Sequence, residues 1–329
     1  MNRKFPGLPS PTLLLPLLLA LSASTSAAGS PPTAVISNDL VTARIYLPDS
    51  ENGYYRGTRF DWSGVIYSLT HDGHEYFGEW QESDDPYLHD RITGPVDSFG
   101  ALGYRPGEPG ATFVRVGVGV CRQPDEEDFR WNHTYAVVDD GGWTIEQGGN
   151  WIEFGQAVGD DGSGYGYSYS KRLTLTPGSA ELVIDHVLEN TGRLAIETDV
   201  YNHNFFVIDG QPTGPDFVVR FPFEPRADKD LKGFAEVKGK ELTYLREIPE
   251  GAFILTLLGG FSSRAEDHRF AIENRRTGAG VRMDGDRPMS KLQFWSPATT
   301  LCPEPFIDLK IPPGQADRWS LRYGFYSLD

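Results

Sequence analysis

Cysteine is scarce in this 329-residue chain: Cys121 and Cys302 are the only two. Two thiols cannot supply the disulfide framework of a small secreted scaffold, and they exclude a Cys-rich zinc site by count. One disulfide or two buried thiols both remain open. The seven histidines include no pair at His-x-x-x-His spacing, so no transition metal is expected. A Gly-x-Ser-x-Gly elbow, a phosphate loop and a dinucleotide fingerprint are also missing, and no cofactor is expected. Positive charge is short: 30 Lys and Arg stand against 46 Asp and Glu, for a formal net charge of −16. Such a surface repels phosphate backbones and anionic lipid, which removes nucleic acid and direct membrane binding from the expected partners. A neutral ligand is compatible with it. No long stretch shows the i, i+3, i+4, i+7 apolar spacing of a helix, and no short-period repeat is present.

The N-terminus has the layout of a secretory signal peptide. Arg3 and Lys4 form a positive start, Leu13 to Leu21 is almost entirely Leu, and Thr25-Ser26-Ala27-Ala28 offers small residues for cleavage. The apolar run is shorter than the roughly 20 residues of a membrane span. Residues 1–28 are therefore read as a leader, 29–34 as a short linker and 35–329 as one domain, secreted or periplasmic. Loss of Arg3 and Lys4 would take the formal charge from −16 to −18.

What the chain has in abundance is turn residues, 37 Gly and 24 Pro. Turn signals such as Asp72-Gly73, Asp140-Gly141-Gly142, Thr176-Pro177-Gly178 and Pro312-Pro313-Gly314 separate short runs rich in Val, Ile, Tyr, Phe and Thr. That pattern predicts an all-β fold, a sandwich or a barrel. Several runs alternate with period two. Val114, Val116, Val118 and Val120 share one face of a predicted strand over 113–120. Leu182, Ile184, His186 and Leu188 share another face, with His186 expected in the core or on the cleft floor, and Trp319, Leu321, Tyr323 and Phe325 a third.

Two segments carry chemistry. After the turn Asn190-Thr191-Gly192, a run over 194–207 places Glu197, Asp199, Tyr201, His203 and Phe205 on one face. Two acids, a His and two aromatics make a poor core but a good floor for a polar cleft with an aromatic wall. Near the C-terminus, Glu304 lies between Pro303 and Pro305, on a stiff, non-helical backbone suited to holding a carboxylate still.

In their order these segments resemble the galactose mutarotase-like (aldose 1-epimerase) superfamily. Members share a strand, an Asn-Thr-Gly turn and a strand ending in Asn-His-x-Phe/Tyr-Phe, here Asn202-His203-Asn204-Phe205-Phe206. They close with a Cys-x-Glu-Pro-like turn, here Cys302-Pro303-Glu304-Pro305, then a Pro-Gly turn and a last strand. The stretch from Gly57 to Tyr76 resembles their N-terminal hairpin. The resemblance implies a β-sandwich (supersandwich) of the galactose mutarotase type. It also implies a sugar substrate, with His203 as catalytic acid and Glu304 as base on opposite sides of the ring. Asp199 and Glu197 would then hold His203 charged. His133 stands where the family has a second His, with His89 as runner-up. Arg59 competes with Arg56 and Arg91 for the family's Arg. Asp199, Asn202, Asp216 and the platform Trp295 complete the expected substrate-binding set. A His-Gly-Gly segment typical of the epimerases is absent. A carbohydrate lyase or hydrolase-type enzyme on the same fold, and a non-catalytic sugar-binding protein, are the alternatives. Oligomeric state is not legible.

Overall fold

The computed structural model describes Met1 and residues 29–328. The leader read at residues 1–28 otherwise lies outside the described residues. From Pro31 onward the chain forms one unit. Among the described residues the only helical element is the 3-10 turn Ala265–Asp267. Among those residues no helix is long and apolar enough to cross a membrane. The first strand, Thr33–Ser37, starts inside the segment read as linker, because Thr33 and Ala34 pair with Tyr46 and Ile45 of Val41–Tyr46.

Two antiparallel sheets build the sandwich. The larger has ten strands. Its centre runs Arg269–Asn274, Ala279–Gly285, Ala316–Ser327, Glu181–Asn190, Tyr167–Leu175, Trp151–Val158. The smaller has six: Arg226–Ala227, Phe253–Gly259, Lys291–Pro297, Cys302–Ile311, Ile196–His203 and Val96–Phe99. Leu173, Ile184, Val281 and Leu321 of the larger sheet share one buried cluster with Ile254, Leu292 and Phe294 of the smaller. The alternation expected of 182–188 and 319–325 is present, every inward residue being buried. The hairpin Val65–His71 with His74–Glu75 turns through Asp72 and Gly73, both at positive φ, as two-residue hairpin turns require.

The run 113–120 is not one strand. Thr112–Arg115 folds back on Gly119–Arg122, through a turn closed by Val118 N–H donating to the Arg115 carbonyl at 3.1 Å. Alternating Val and Gly suits a strand or a hairpin equally. Gly117 decides, at φ 79° and with a Cβ position only 2.6 Å from Asp61. The turn at Asn190 carries the chain from the larger sheet to the smaller. Asn190 is buried, and its amide donates to the Leu194 and Ile311 carbonyls at 2.8 Å each.

Between the sheets lies a buried polar cluster. Lys171 Nζ is 2.7 Å from Asp97 Oδ2 and 3.3 Å from Asp61 Oδ2, and it donates to the Ser63 carbonyl at 3.1 Å. His186, buried as expected, has Nε2 3.0 Å from Asp97 Oδ2 and stacks on Trp319. Asn202 donates to Asp97 Oδ1 at 3.2 Å. The Tyr323 hydroxyl lies 2.7 Å from Asn202 Oδ1 and 2.8 Å from Asn204 Oδ1, donating to one at a time. Burial raises Asp61, against the pull of Lys171. Asp97 stays well below the usual carboxylate range, because Lys171 and His186 outweigh its burial. Cys121 and Cys302 are both free and buried.

Removing one partner from a buried charge cluster leaves the others unpaired, at a cost of about 3–5 kcal/mol. Lys171→Met is expected to lose stability on that scale in denaturant unfolding. A loss under 1 kcal/mol would show that the two aspartates do not depend on it.

Candidate functional site

The outer face of the smaller sheet carries a cleft of about 510 Å³. Its floor follows from strand register. Lys291 pairs with Phe306 and Gln293 with Glu304, and on the other side Phe306 pairs with Tyr201. Period-two alternation then puts Lys291, Gln293 and Trp295 beside Glu304 and Phe306, and those beside Tyr201 and His203. All seven line the cleft, together with Arg59, Asp90, Trp131, Phe205 and two residues of the strand Phe253–Gly259.

Glu304 lies in a central strand, not the expected turn. Prolines in central strands are rare because they donate no ladder hydrogen bond. Here the ladder with Ile196–His203 ends at the pair Tyr201 and Phe306, just before Pro305. Beyond it, the Asn204 amide donates to the Pro303 carbonyl at 2.7 Å in place of backbone pairing. The chain turns at Phe205, a bulky residue at φ 40°, a conformation that costs roughly 1–2 kcal/mol. That turn lays the Phe205 ring on the His203 ring, centroids 3.8 Å apart. Trp295 and Phe60 meet the same imidazole edge-on at 5.5 Å.

His203 Nε2 stands 3.5 Å from Glu304 Oε1, and Gln293 donates to Glu304 Oε2 at 2.8 Å. Both side chains are almost wholly buried. His203 Nδ1 and Glu304 Oε1 have no hydrogen-bond partner among the described residues. Burial raises Glu304 to about 7, against the lowering pull of Arg59 and Gln293. Burial, with Arg59 adding to it, drives His203 well below its ordinary value. These directions run against the expected polarity: burial disfavours the imidazolium, and near neutral pH the Glu304 carboxyl is divided between its protonated and ionised forms. Asp199 and Glu197 do not charge the imidazole. Asp199 approaches Lys291 at 4.0 Å, and Glu197 pairs with Lys310 at 2.7 Å. The pair is also adjacent, not split across a ring.

Of the three arginines, Arg59 is the one in the cleft. Its Nε and Nη2 donate to the Tyr201 hydroxyl at 3.2 and 3.1 Å, and it lies over the Trp131 ring. Arg56 and Arg91 sit over Tyr87 and Tyr54 instead. Trp295 is on the wall as expected. Asn202 is not: it faces the interior, where Asp97 and Tyr323 occupy its amide. Asp216 pairs with Arg276 and does not line the cleft. His133 packs its ring on Tyr135, outside the lining, while Trp131 two residues earlier is on the wall. His89 reaches the site only indirectly, 3.6 Å from Asp90 and edge-on to Trp131. Gln293 and Lys291 were not singled out from sequence. The alternation of Lys291, Gln293 and Trp295 with buried Leu292, Phe294 and Ser296 is the signal that points to them. No group of three or more His, Cys, Asp or Glu side chains among the described residues is arranged for a metal ion.

No family model matches the chain, and no curated protein matches it. Solved structures do. A GalM/aldose epimerase homologue from C. elegans superposes with a TM-score of 0.56 at 11% identity, covering 91% of this chain and 100% of its own. A galactose mutarotase-like protein from Lactobacillus casei gives 0.54 at 13%, covering 90% and 100%. A galactose mutarotase-like protein from Clostridium acetobutylicum gives 0.54 at 12%, covering 89% and 95%. Identities this low bear on architecture alone, and the architecture they show is that of the galactose mutarotase-like β-sandwich.

Proposed function

We propose that the cleft binds a sugar and that Glu304 and His203 interconvert its anomers by proton transfer. The observation that carries this reading is the 3.5 Å approach of His203 Nε2 to Glu304 Oε1 on an aromatic-walled floor. Burial moves the two groups in opposite senses, the pattern expected of an acid and a base working together.

The chemistry runs on one proton held by the pair. Protonated Glu304 gives its proton to the ring oxygen while neutral His203 takes the proton of the anomeric hydroxyl. The bond from C1 to the ring oxygen breaks and C1 becomes a carbonyl. Both oxygens are attached to C1, so adjacent groups can serve both. The pair is now carboxylate and imidazolium, an attraction that favours the open-chain form inside a dry site. Rotation about C1–C2 presents the other face of the carbonyl, and the transfers reverse. Gln293 keeps Glu304 Oε2 engaged, which leaves Oε1 to meet substrate. Trp295 and Trp131 offer flat faces for the sugar's apolar side. The aldose epimerase and galactose mutarotase-like neighbours support a sugar as the ligand class.

Glu304→Gln is expected to slow mutarotation of α-D-glucose or α-D-galactose in polarimetry by roughly 10²- to 10⁴-fold, the usual worth of one positioned acid or base. Wild-type protein that accelerates neither sugar would overturn the reading. The enzymatic rate, corrected for the solvent reaction, should fall as pH rises through about 7, where Glu304 loses its proton. His203, followed by NMR, should stay neutral at pH 7; an imidazolium there would restore the opposite polarity.

The same shift acts on stability. A carboxyl whose folded pKa lies above its unfolded value of 4.5 contributes stability below that value and loses it as pH rises toward 7. Glu304→Gln should therefore unfold at higher denaturant than wild type at pH 8, by up to about 3 kcal/mol. Equal stability at pH 8 would show that burial does not strain the carboxylate.

A further inference from the structure

Among the described residues that line the cleft, Tyr201 carries the one hydroxyl, and its hydrogen bonds are one-sided. Arg59 donates to its oxygen twice, from Nε at 3.2 Å and from Nη2 at 3.1 Å. A phenol both accepts and donates, so what remains of the group is its own hydrogen. That hydrogen has no acceptor among the described residues. The ring cannot swing away to find one. It stacks on Phe306 with centroids 4.4 Å apart and meets Phe60 edge-on at 6.5 Å. Arg59 is fixed as well. Its guanidinium lies over the Phe60 and Trp131 rings, and its carbonyl accepts from the Ser98 hydroxyl at 2.7 Å and from Arg115.

A phenylalanine would serve the aromatic stack as well as a tyrosine does. The hydroxyl is the added element, and setting one in an aromatic wall costs free energy unless it is bonded. Two charge-assisted donors on one oxygen polarise its O–H and strengthen the bond that hydrogen can give. Other polar groups nearby are committed. The Gln293 amide donates to Glu304, and Asp90 is turned to His89 at 3.6 Å. Tyr201 stands two positions from His203 on the same strand face, roughly 7 Å along the strand. His203 in turn lies 3.5 Å from Glu304. A sugar with C1 at that pair would meet Tyr201 with the opposite side of its ring.

Resting on the reading that the cleft takes a sugar, we infer that Tyr201 determines specificity by donating its O–H to a neutral hydroxyl oxygen of the sugar at C3 or C4, across the ring from C1. Arg59 is then a positioning residue. It does not touch the sugar in this role. It fills the acceptor side of the phenol, which aims the remaining hydrogen into the cleft. A site with a fixed donor of this kind rejects a sugar that lacks the matching hydroxyl, because the donor is left unpaired.

Deoxy sugars test this by binding alone, without relying on catalysis. Isothermal titration of the full chain would compare D-glucose and D-galactose with their 2-, 3- and 4-deoxy analogues. The 3-deoxy or 4-deoxy analogue should bind wild type roughly tenfold more weakly than its parent, the scale of leaving one positioned donor unpaired. Tyr201→Phe should close that gap by weakening the parent to the level of the analogue, a coupling that reads out one contact. Arg59→Met should shrink the gap with Tyr201 still present, and Arg59→Lys, which keeps a donor, should retain more of it. A residue that only packs would shift parent and analogue alike. A melting curve establishes that each variant is folded, and Tyr201→Phe decides alone where an Arg59 variant does not fold. No gap in wild type, a gap confined to the 2-deoxy sugars, or a gap that survives Tyr201→Phe would overturn the inference and leave the sugar reading standing. A full gap in Arg59→Met would overturn the positioning role. Failure of all these sugars to bind would overturn both the inference and the sugar reading.

Discussion

A buried ammonium shared by two buried carboxylates is the constraint on which the rest of this molecule hangs. Lys171 belongs to the larger sheet, Asp97 to an edge strand of the smaller, and Asp61 to the loop before Val65. None of the three can reach water, so none can leave the others without stranding a charge. Sheet packing by apolar side chains tolerates sliding. An ion cluster of this kind does not, because its energy depends on tenths of an ångström at low dielectric. The network then runs outward from Asp97 through Asn202 and Tyr323 to Asn204, and from Asn204 to the Pro303 carbonyl. Asn202 and Asn204 flank His203, and Pro303 precedes Glu304. The interior thus reaches the cleft through the backbone neighbours of both His203 and Glu304.

That route explains how two almost fully buried ionisable groups keep a 3.5 Å relationship without a direct bond between them. Each is set by its strand, and the strands are set from behind. The cleft side supplies only packing and field: Phe205 and Trp295 against the imidazole, Gln293 on one carboxylate oxygen, Arg59 at longer range. A site assembled this way has its reactive atoms uncommitted, which is the condition for meeting a substrate. It also stores unfavourable energy, in a carboxyl held away from water and a phenylalanine held at positive φ.

Much of this was legible in the chain. Turn residues and period-two runs announced the sandwich, and the two motif segments announced His203 and Glu304. Arg59 and Trp295 also reached the cleft. The failures share a cause. Asn202 faces the interior, Asp216 pairs elsewhere and His133 stays outside, because which strand lies beside which is a non-local fact that local pattern does not contain. Gln293 and Lys291 were missed for the same reason: their relation to Glu304 is a matter of register across two strands. The protonation expected of the pair runs against the direction that burial gives it, because a sequence shows which charges are near in order, whereas burial depends on everything packed around them. At 113–120 the alternation was real, but a glycine with no room for a side chain turned a strand into a hairpin.

The two thiols have a quieter consequence. Cys121 and Cys302 are buried, unpaired and pushed by burial toward the unreactive protonated form. The cohesion of the sandwich among the described residues is therefore that of packing, hydrogen bonds and buried charge, and the Cys302 sulfur, two residues from Glu304, is part of that packing.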